Sequence, residues 1–133
     1  MQLSDVNVSI LFQSTEEMIR QTPERWILNA ADAAVATLDI PADALRERSF
    51  EISCSMTVRP DADAAAPWHE LKIYADGELQ WSRRIPTAAA AEFDGLDCRF
   101  RRRVAVAHTL RLQAMAECGA GRRLSLLIEA EEC

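Results

Sequence analysis

From Cys98 to Cys118 the chain alternates. Cys98, Phe100, Val104, Val106, Leu110, Leu112, Ala114, Ala116 and Cys118 recur at every second position, in phase with Arg102 and His108. The intervening set, including Arg99, Arg101, Arg103, Thr109, Arg111, Gln113 and Glu117, is mostly polar. A repeat of two means strand, because successive side chains point to opposite faces. The run exceeds the roughly 3–10 residues of a usual strand, so a break is expected near Ala107-His108-Thr109. Gly119-Ala120-Gly121 interrupts the pattern, and Leu124, Leu126, Ile128 and Ala130 resume it. The stretch therefore reads as a β-hairpin system with one wet and one dry face.

The same period appears elsewhere. Phe50, Ile52, Cys54, Met56 and Val58 alternate with Glu51, Ser53, Ser55, Thr57 and Arg59, a cleanly amphipathic strand. Val6, Val8, Ile10 and Phe12 suggest a first strand, followed by a capping-box match from Ser14 to Glu17. Residues 71–81 read as a hairpin about Ala75-Asp76-Gly77. A three-residue loop over 75–77 is expected, because it sets Ile73 against Leu79 and Leu71 against Trp81 on one face, with Gly77 left-handed. Pro60–Pro67 and 87–92 read as surface connectors, and Phe93-Asp94-Gly95 as a turn.

One segment breaks the period of two. Thr22-Pro23 looks like a helix start, and Arg25, Asn29, Asp32 and Asp39 fall on one stripe at helical spacing. The rest of the segment is apolar and rich in Ala, so a largely buried α-helix over about 23–38 is expected, ended by Pro41. A further helical turn could occupy Ala42–Arg48. The sum is a mainly β protein: an antiparallel β-sandwich of about seven strands with one N-terminal α-helix. With 133 residues it reads as a single domain, 1–133, made of an N-terminal strand and helix (1–48) and a β-sandwich body (49–131).

Leu71-Lys72-Ile73-Tyr74-Ala75-Asp76-Gly77-Glu78-Leu79 resembles the central hairpin of immunoglobulin-like and fibronectin type III-like bacterial modules. The run from His108 through Ala114 to Gly119-Ala120-Gly121 is similar to their penultimate strand and last turn. The likeness spans roughly residues 50–131. The chain departs from that pattern in lacking a Cys…Trp…Cys signature and in the expected helix. The resemblance implies adhesion or protein binding.

Charge and cysteines narrow the functions. The net charge is −6, which argues against nucleic acid, whose phosphates call for a basic footprint. The first 66 residues carry 11 acids and 5 bases, and the remainder 10 of each. No basic n-region or long apolar run suggests a signal or a membrane partner, so a cytoplasmic location is expected. Cys54, Cys98, Cys118 and Cys133 then read as reduced thiols. Their spacing offers no C-x-x-C pair, so neither a metal site nor any other cofactor is expected.

Two groups of residues are candidate sites. Arg99, Arg101 and Arg103 share one face of one strand and could bind an anion or an acidic partner, or simply pair with neighbouring carboxylates on a solvated face. Trp68 and His69 form the second group. Trp68 follows Pro67 and could be an aromatic platform for a sugar ring, whereas Trp81 reads as core. Adjacent strand residues face opposite ways, so His69 forms no ready dyad with its neighbours. Arg102, in phase with the apolar set, marks either a bulge or a buried salt bridge. No nucleophile elbow, phosphate loop or carboxylate pair is present, so the reading leans away from an enzyme. The favoured function is a non-catalytic interaction module that partners another protein or itself, most simply as a homodimer through the Ala-rich helix. The alternative is a small-ligand binder (anion or carbohydrate) or an enzyme, using the Arg stripe or the Trp68-His69 region.

Overall fold

A computed structural model describes residues 22–133, Ala91 excepted. The expected strand over 6–12 and the capping box at Ser14–Glu17 lie outside the described residues. Eight strands follow in order: β1 (Arg25–Asn29), β2 (Val35–Ile40), β3 (Arg48–Pro60), β4 (Trp68–Ala75), β5 (Glu78–Pro86), β6 (Asp94–Val104), β7 (Leu110–Gly119) and β8 (Gly121–Glu132). They form two antiparallel four-stranded sheets, in the orders β1-β8-β3-β6 and β2-β7-β4-β5.

The pairings nest: β1 with β8, β2 with β7, β3 with β6, and β4 with β5. The ladders β3·β8 and β4·β7 complete each sheet. Nested pairs distributed over two packed sheets are the order of an eight-stranded jelly roll. The β-sandwich expectation holds. The strand order differs from the immunoglobulin arrangement of sheets.

The helix expected over 23–38 is replaced by β1 and β2; among the described residues there is no helix. The reason is visible in the burial of alternate residues. Trp26 and Leu28 pack on the core while Arg25, Ile27 and Asn29 face out; Ala36, Leu38 and Ile40 face in from β2. Ile27 and Val35, counted above toward an apolar circumference, are half exposed, at 51% and 50%. Between the strands the Asn29 Oδ1 accepts from Ala31 N at 2.9 Å, and Ala31 takes a φ of 53°. The preference of Ala for helix is a few tenths of a kcal/mol per residue. Two sheet edges supplying backbone partners and burying Trp26, Leu28, Leu38 and Ile40 outweigh it. A helical turn over Ala42–Arg48 is also absent: the Asp43 Oδ1 accepts from Leu45 N and Arg46 N, which folds a bend, and Arg48 already begins β3.

Two further expectations change. β7 and β8 lie in different sheets, so the turn at Ala120 (φ 56°) crosses the sandwich and closes no hairpin. The β4–β5 turn is a two-residue loop, with Asp76 at φ 50° and Gly77 at φ 81°. Positive φ at both central residues is the type I′ geometry that Asp-Gly favours. Ala75 then faces Glu78 and Tyr74 faces Leu79, and a register shift between Ile73 and Tyr74 sets Ile73 against Trp81. The expected pairs Ile73 with Leu79 and Leu71 with Trp81 are not made: Leu71 faces Arg83, and Leu79 stands beside Tyr74 on the outer face, half exposed.

The core lies between the sheets. Phe50, Ile52 and Met56 of β3 and Leu126 and Ile128 of β8 meet Leu71 and Ile73 of β4 and Leu110 and Leu112 of β7. Arg102 points inward on edge strand β6, and the β3·β6 register runs unshifted past it, so it marks no bulge. Its guanidinium reaches Asp76 in the β4–β5 turn at 3.8 Å.

Candidate functional site

Trp68 opens β4 on the outer face of the second sheet, opposite Gly119 of β7 and Pro86 of β5. Its indole lies over Gly119. A Cβ at that position would stand 2.1 Å from the indole Nε1 and 2.5 Å from Cε2. Only glycine leaves room for the ring here. Arg84, two residues before Pro86, lays its guanidinium over the ring at 3.9 Å from the centroid. The same guanidinium pairs with Glu70 at 3.4 Å, and Glu70 with Lys72 at 3.9 Å. Outward positions of β4 and β5 thus carry a ladder of an aromatic face, two cations and one carboxylate.

Beside this ladder is a hollow of about 520 Å³, walled by Ala65, Ala66 and Pro67 on one side and Ile85, Pro86 and Ala89 on the other. The size is that of a small-ligand site. Backbone and side-chain hydrogen bonds fix its rim. Thr87 N donates to Pro67 O at 2.9 Å, joining the two walls. Asp94 accepts from Ala88 N at 3.0 Å and from Gly95 N at 2.8 Å. The bond from Ala88 is the larger cause that holds the Asp94 carboxyl below its usual range.

His69 supports this rim from inside. It is fully buried, facing the core between Ile85 and Cys118. Nε2 lies 3.1 Å from Gly95 O and Nδ1 lies 2.7 Å from Thr87 Oγ1. A carbonyl only accepts, so Nε2 carries the proton, and in the neutral ring Nδ1 accepts from the Thr87 hydroxyl. Trp68 and His69 therefore do not share a site. One faces the hollow, and the other braces the connector behind it.

Arg99, Arg101 and Arg103 lie on the outer face of the other sheet, on edge strand β6. Their side chains are largely exposed and ion-paired: Arg99 and Arg101 with Glu51 at 3.3 and 3.9 Å, Arg103 with Glu47 at 2.7 Å. Trp81 packs against the core as expected.

Sequence reasoning missed Gly119 and Arg84, whose roles depend on which strands pair. It also missed a charged cluster at the end of the sandwich. Arg48 is buried, with Nη1 2.8 Å from Glu24 and Nη2 2.8 Å from Pro41 O. Arg46 pairs with Glu132, with Glu24 at 3.1 Å and with Asp43 at 3.2 Å. The hydrogen bonds from Arg46 hold the Glu132 carboxyl below its usual range. The cluster ties the residues before β1, the β2–β3 loop and the end of β8 together. Cys54 and Cys98 face each other across β3 and β6 as free thiols. Burial pushes them up to about 12 and about 11. Among the described residues no three His, Cys, Asp or Glu side chains are grouped to hold a metal ion.

No protein-family model matches the chain, and no curated protein matches it. Solved structures share its architecture. A dimeric latent PorU from Porphyromonas gingivalis aligns with 83% of this chain at a TM-score of 0.55 and 13% identity. The chain spans 12% of that PorU chain. A family 35 carbohydrate-binding module from Clostridium thermocellum aligns with 81% of this chain and 97% of its own at a TM-score of 0.39 and 10% identity. The sugar-binding EclA C-terminal domain aligns with 80% and 78% at 0.40 and 17%. At such identities the likeness to PorU shows the β-sandwich fold alone.

Proposed function

We propose that this chain is a non-catalytic binding module whose hollow beside Trp68 takes a saccharide ring. The observation that carries the reading is the seating of Trp68. Its ring is held at a fixed angle by Gly119 beneath and Arg84 above, at the mouth of an apolar-walled hollow of about 520 Å³. A pyranose offers an apolar C–H face and a polar rim. With Gly119 beneath the indole and Arg84 above it, the first lies on the outer plane of the Arg84 guanidinium and along the exposed edge of the indole, and the second exchanges hydrogen bonds with Arg84, Glu70 and Lys72. The geometry suits binding better than turnover, since the buried imidazole of His69 has both nitrogens engaged behind the rim.

The test is titration with a panel of neutral, amino and acidic oligosaccharides, followed by calorimetry. Saturable binding to at least one class is expected, and it should be lost in Trp68→Ala with little change in melting temperature. Binding that survives Trp68→Ala and Arg84→Ala unchanged would move the site elsewhere. A panel with no binder would remove the reading.

A further inference from the structure

The outer face of the first sheet is an ordered charge pattern. The registers place its outward residues in rows across β1, β8, β3 and β6. One row reads Arg25, Glu131, Glu51, Arg101; the next reads Ile27, Glu129, Ser53, Arg99; the next reads Asn29, Leu127, Ser55, Asp97. Read along the strands, β8 carries an acidic column, Glu129 and Glu131. β6 carries a basic column, Arg99, Arg101 and Arg103. Between them runs β3 with short hydroxyl side chains at Ser49, Ser53, Ser55 and Thr57, interrupted outward only by Glu51.

We propose that this face docks a second copy of the same chain about a two-fold axis running along β3. Such an axis lays the β6 of each copy over the β8 of the other at the same height. Arg99 then faces Glu129 of the second copy and Arg101 faces Glu131, twice over. Ser53 and Ser55 on the axis let the two sheets approach closely, and Glu51, which meets its own image there, is held by Arg99 and Arg101 of its own copy. Other placements fail on charge. An axis between β8 and β3 stacks Arg101 on Arg25 and Glu51 on Glu131. An axis across the strands stacks the β6 arginines on themselves. Arg99 and Arg101 have side chains 74% and 75% exposed and share a single carboxylate, Glu51, while Glu129 is shared with the exposed Arg25 at 3.5 Å. Glu131 has no ion-pair partner among the described residues. The surface is polar at its centre, so the association is salt-sensitive.

The test uses the full chain and two charge-reversed variants in sedimentation velocity or light scattering. The parent is expected at twice 14.9 kDa at low ionic strength. Half-molar salt is expected to raise the dissociation constant about tenfold or more. Arg99→Glu with Arg101→Glu, and separately Glu129→Arg with Glu131→Arg, each give monomers. An equimolar mixture of the two variants recovers the dimer, since each reversed column meets its complement. A parent that stays at 14.9 kDa at low salt overturns the proposal without recourse to any variant. So does a mixture of folded variants, checked by circular dichroism, that remains monomeric. Variants that dimerise as well as the parent place the interface on another surface.

Discussion

Replacing Glu24 by Ala should destabilise the protein more than any exposed acid does, and replacing Arg48 by Met in the same chain should restore much of the loss. The Arg48 side chain is 2% exposed, and Glu24 supplies its only carboxylate among the described residues, at 2.8 Å. Its remaining contacts are the Pro41 and His108 carbonyls at 2.8 and 3.5 Å and the Phe50 ring at 5.4 Å, while Nε has no hydrogen-bond partner among the described residues. Glu24→Ala leaves a buried guanidinium without its counter-charge, and also deprives Arg46 and the Trp26 indole of an acceptor. Removing one partner of a buried pair costs about 3–5 kcal/mol. Glu24 is itself 24% exposed, so water can enter and the lower end of that range applies, about 3 kcal/mol. For a domain of this size that is a fall in Tm of roughly 10 °C. Arg48→Met keeps about the volume and removes the buried charge that Glu24→Ala leaves unpaired, while Arg46 keeps Glu132 and Asp43. The double variant should therefore melt above Glu24→Ala alone. Thermal unfolding followed by circular dichroism at neutral pH decides it. A Glu24→Ala melting within about 2 °C of the parent, or a double variant less stable than the single one, refutes the reasoning.

Gly77→Val should lose about 1 kcal/mol or more in denaturant unfolding, because a β-branched residue resists the φ of 81°; nothing lies within 4 Å, so the cost is conformational and not a clash. Gly119→Ala should displace the Trp68 ring, weaken saccharide binding and cost about 1–3 kcal/mol, read together by calorimetry and melting; unchanged binding would mean that the ring's seat does not matter. Thiol titration of the native protein near neutral pH should find the exposed Cys133 accessible, though slowed by Glu131 and Glu132 beside it, while Cys54 and Cys98, pushed up to about 12 and about 11 by burial, react only on unfolding. Because Arg46 lowers the folded-state value of Glu132, that carboxylate's contribution is present above the ordinary Glu range and is lost as pH falls through the lowered value. Arg46→Met should therefore flatten the acid limb of a stability–pH curve, and an unchanged limb would refute the link.

The sequence makes four of the strands plain for one physical reason: each has one buried face and one wet face. The alternation from Phe50 to Val58 becomes β3, and that from Cys98 to Ala130 becomes β6, β7 and β8, broken within the expected stretch at 107–109. β1 and β2 were illegible because apolar residues stand on their wet faces as well as their buried ones. Ile27 and Val35 stand half in water, and the alanines are indifferent to period, so the apolar count mimicked a buried helix. Asp76-Gly77 announced a turn, but its loop length did not follow from local pattern. The bulge between Ile73 and Tyr74 turns Trp81 inward beside Ile73 and leaves Leu79 on the outer face, and it is set by how the two strands pair.

The candidate sites divide along the same line. Trp68 could be singled out because an aromatic after a proline at a strand start has few neighbours to bury it. What makes it a seat is Gly119, 51 positions further on, and the two meet only because β7 pairs with β4. Arg84 is likewise one of two adjacent arginines, and only the β5 register decides that it, and not Arg83, covers the ring. His69 shows the converse. Its neighbour in sequence is the proposed binding residue, yet the strand turns it inward, where it joins Thr87 to Gly95 and so holds the wall of the hollow that Trp68 faces. The arginine stripe was legible as a stripe, but its meaning depends on what stands across from it. Within one copy that is Glu51 and Glu47, and each guanidinium has more donors than those carboxylates occupy. Since the two faces belong to different sheets with the core between them, Trp68→Ala and the charge reversals on β6 act on separate surfaces. Loss of saccharide binding and loss of the dimer are therefore independent observations.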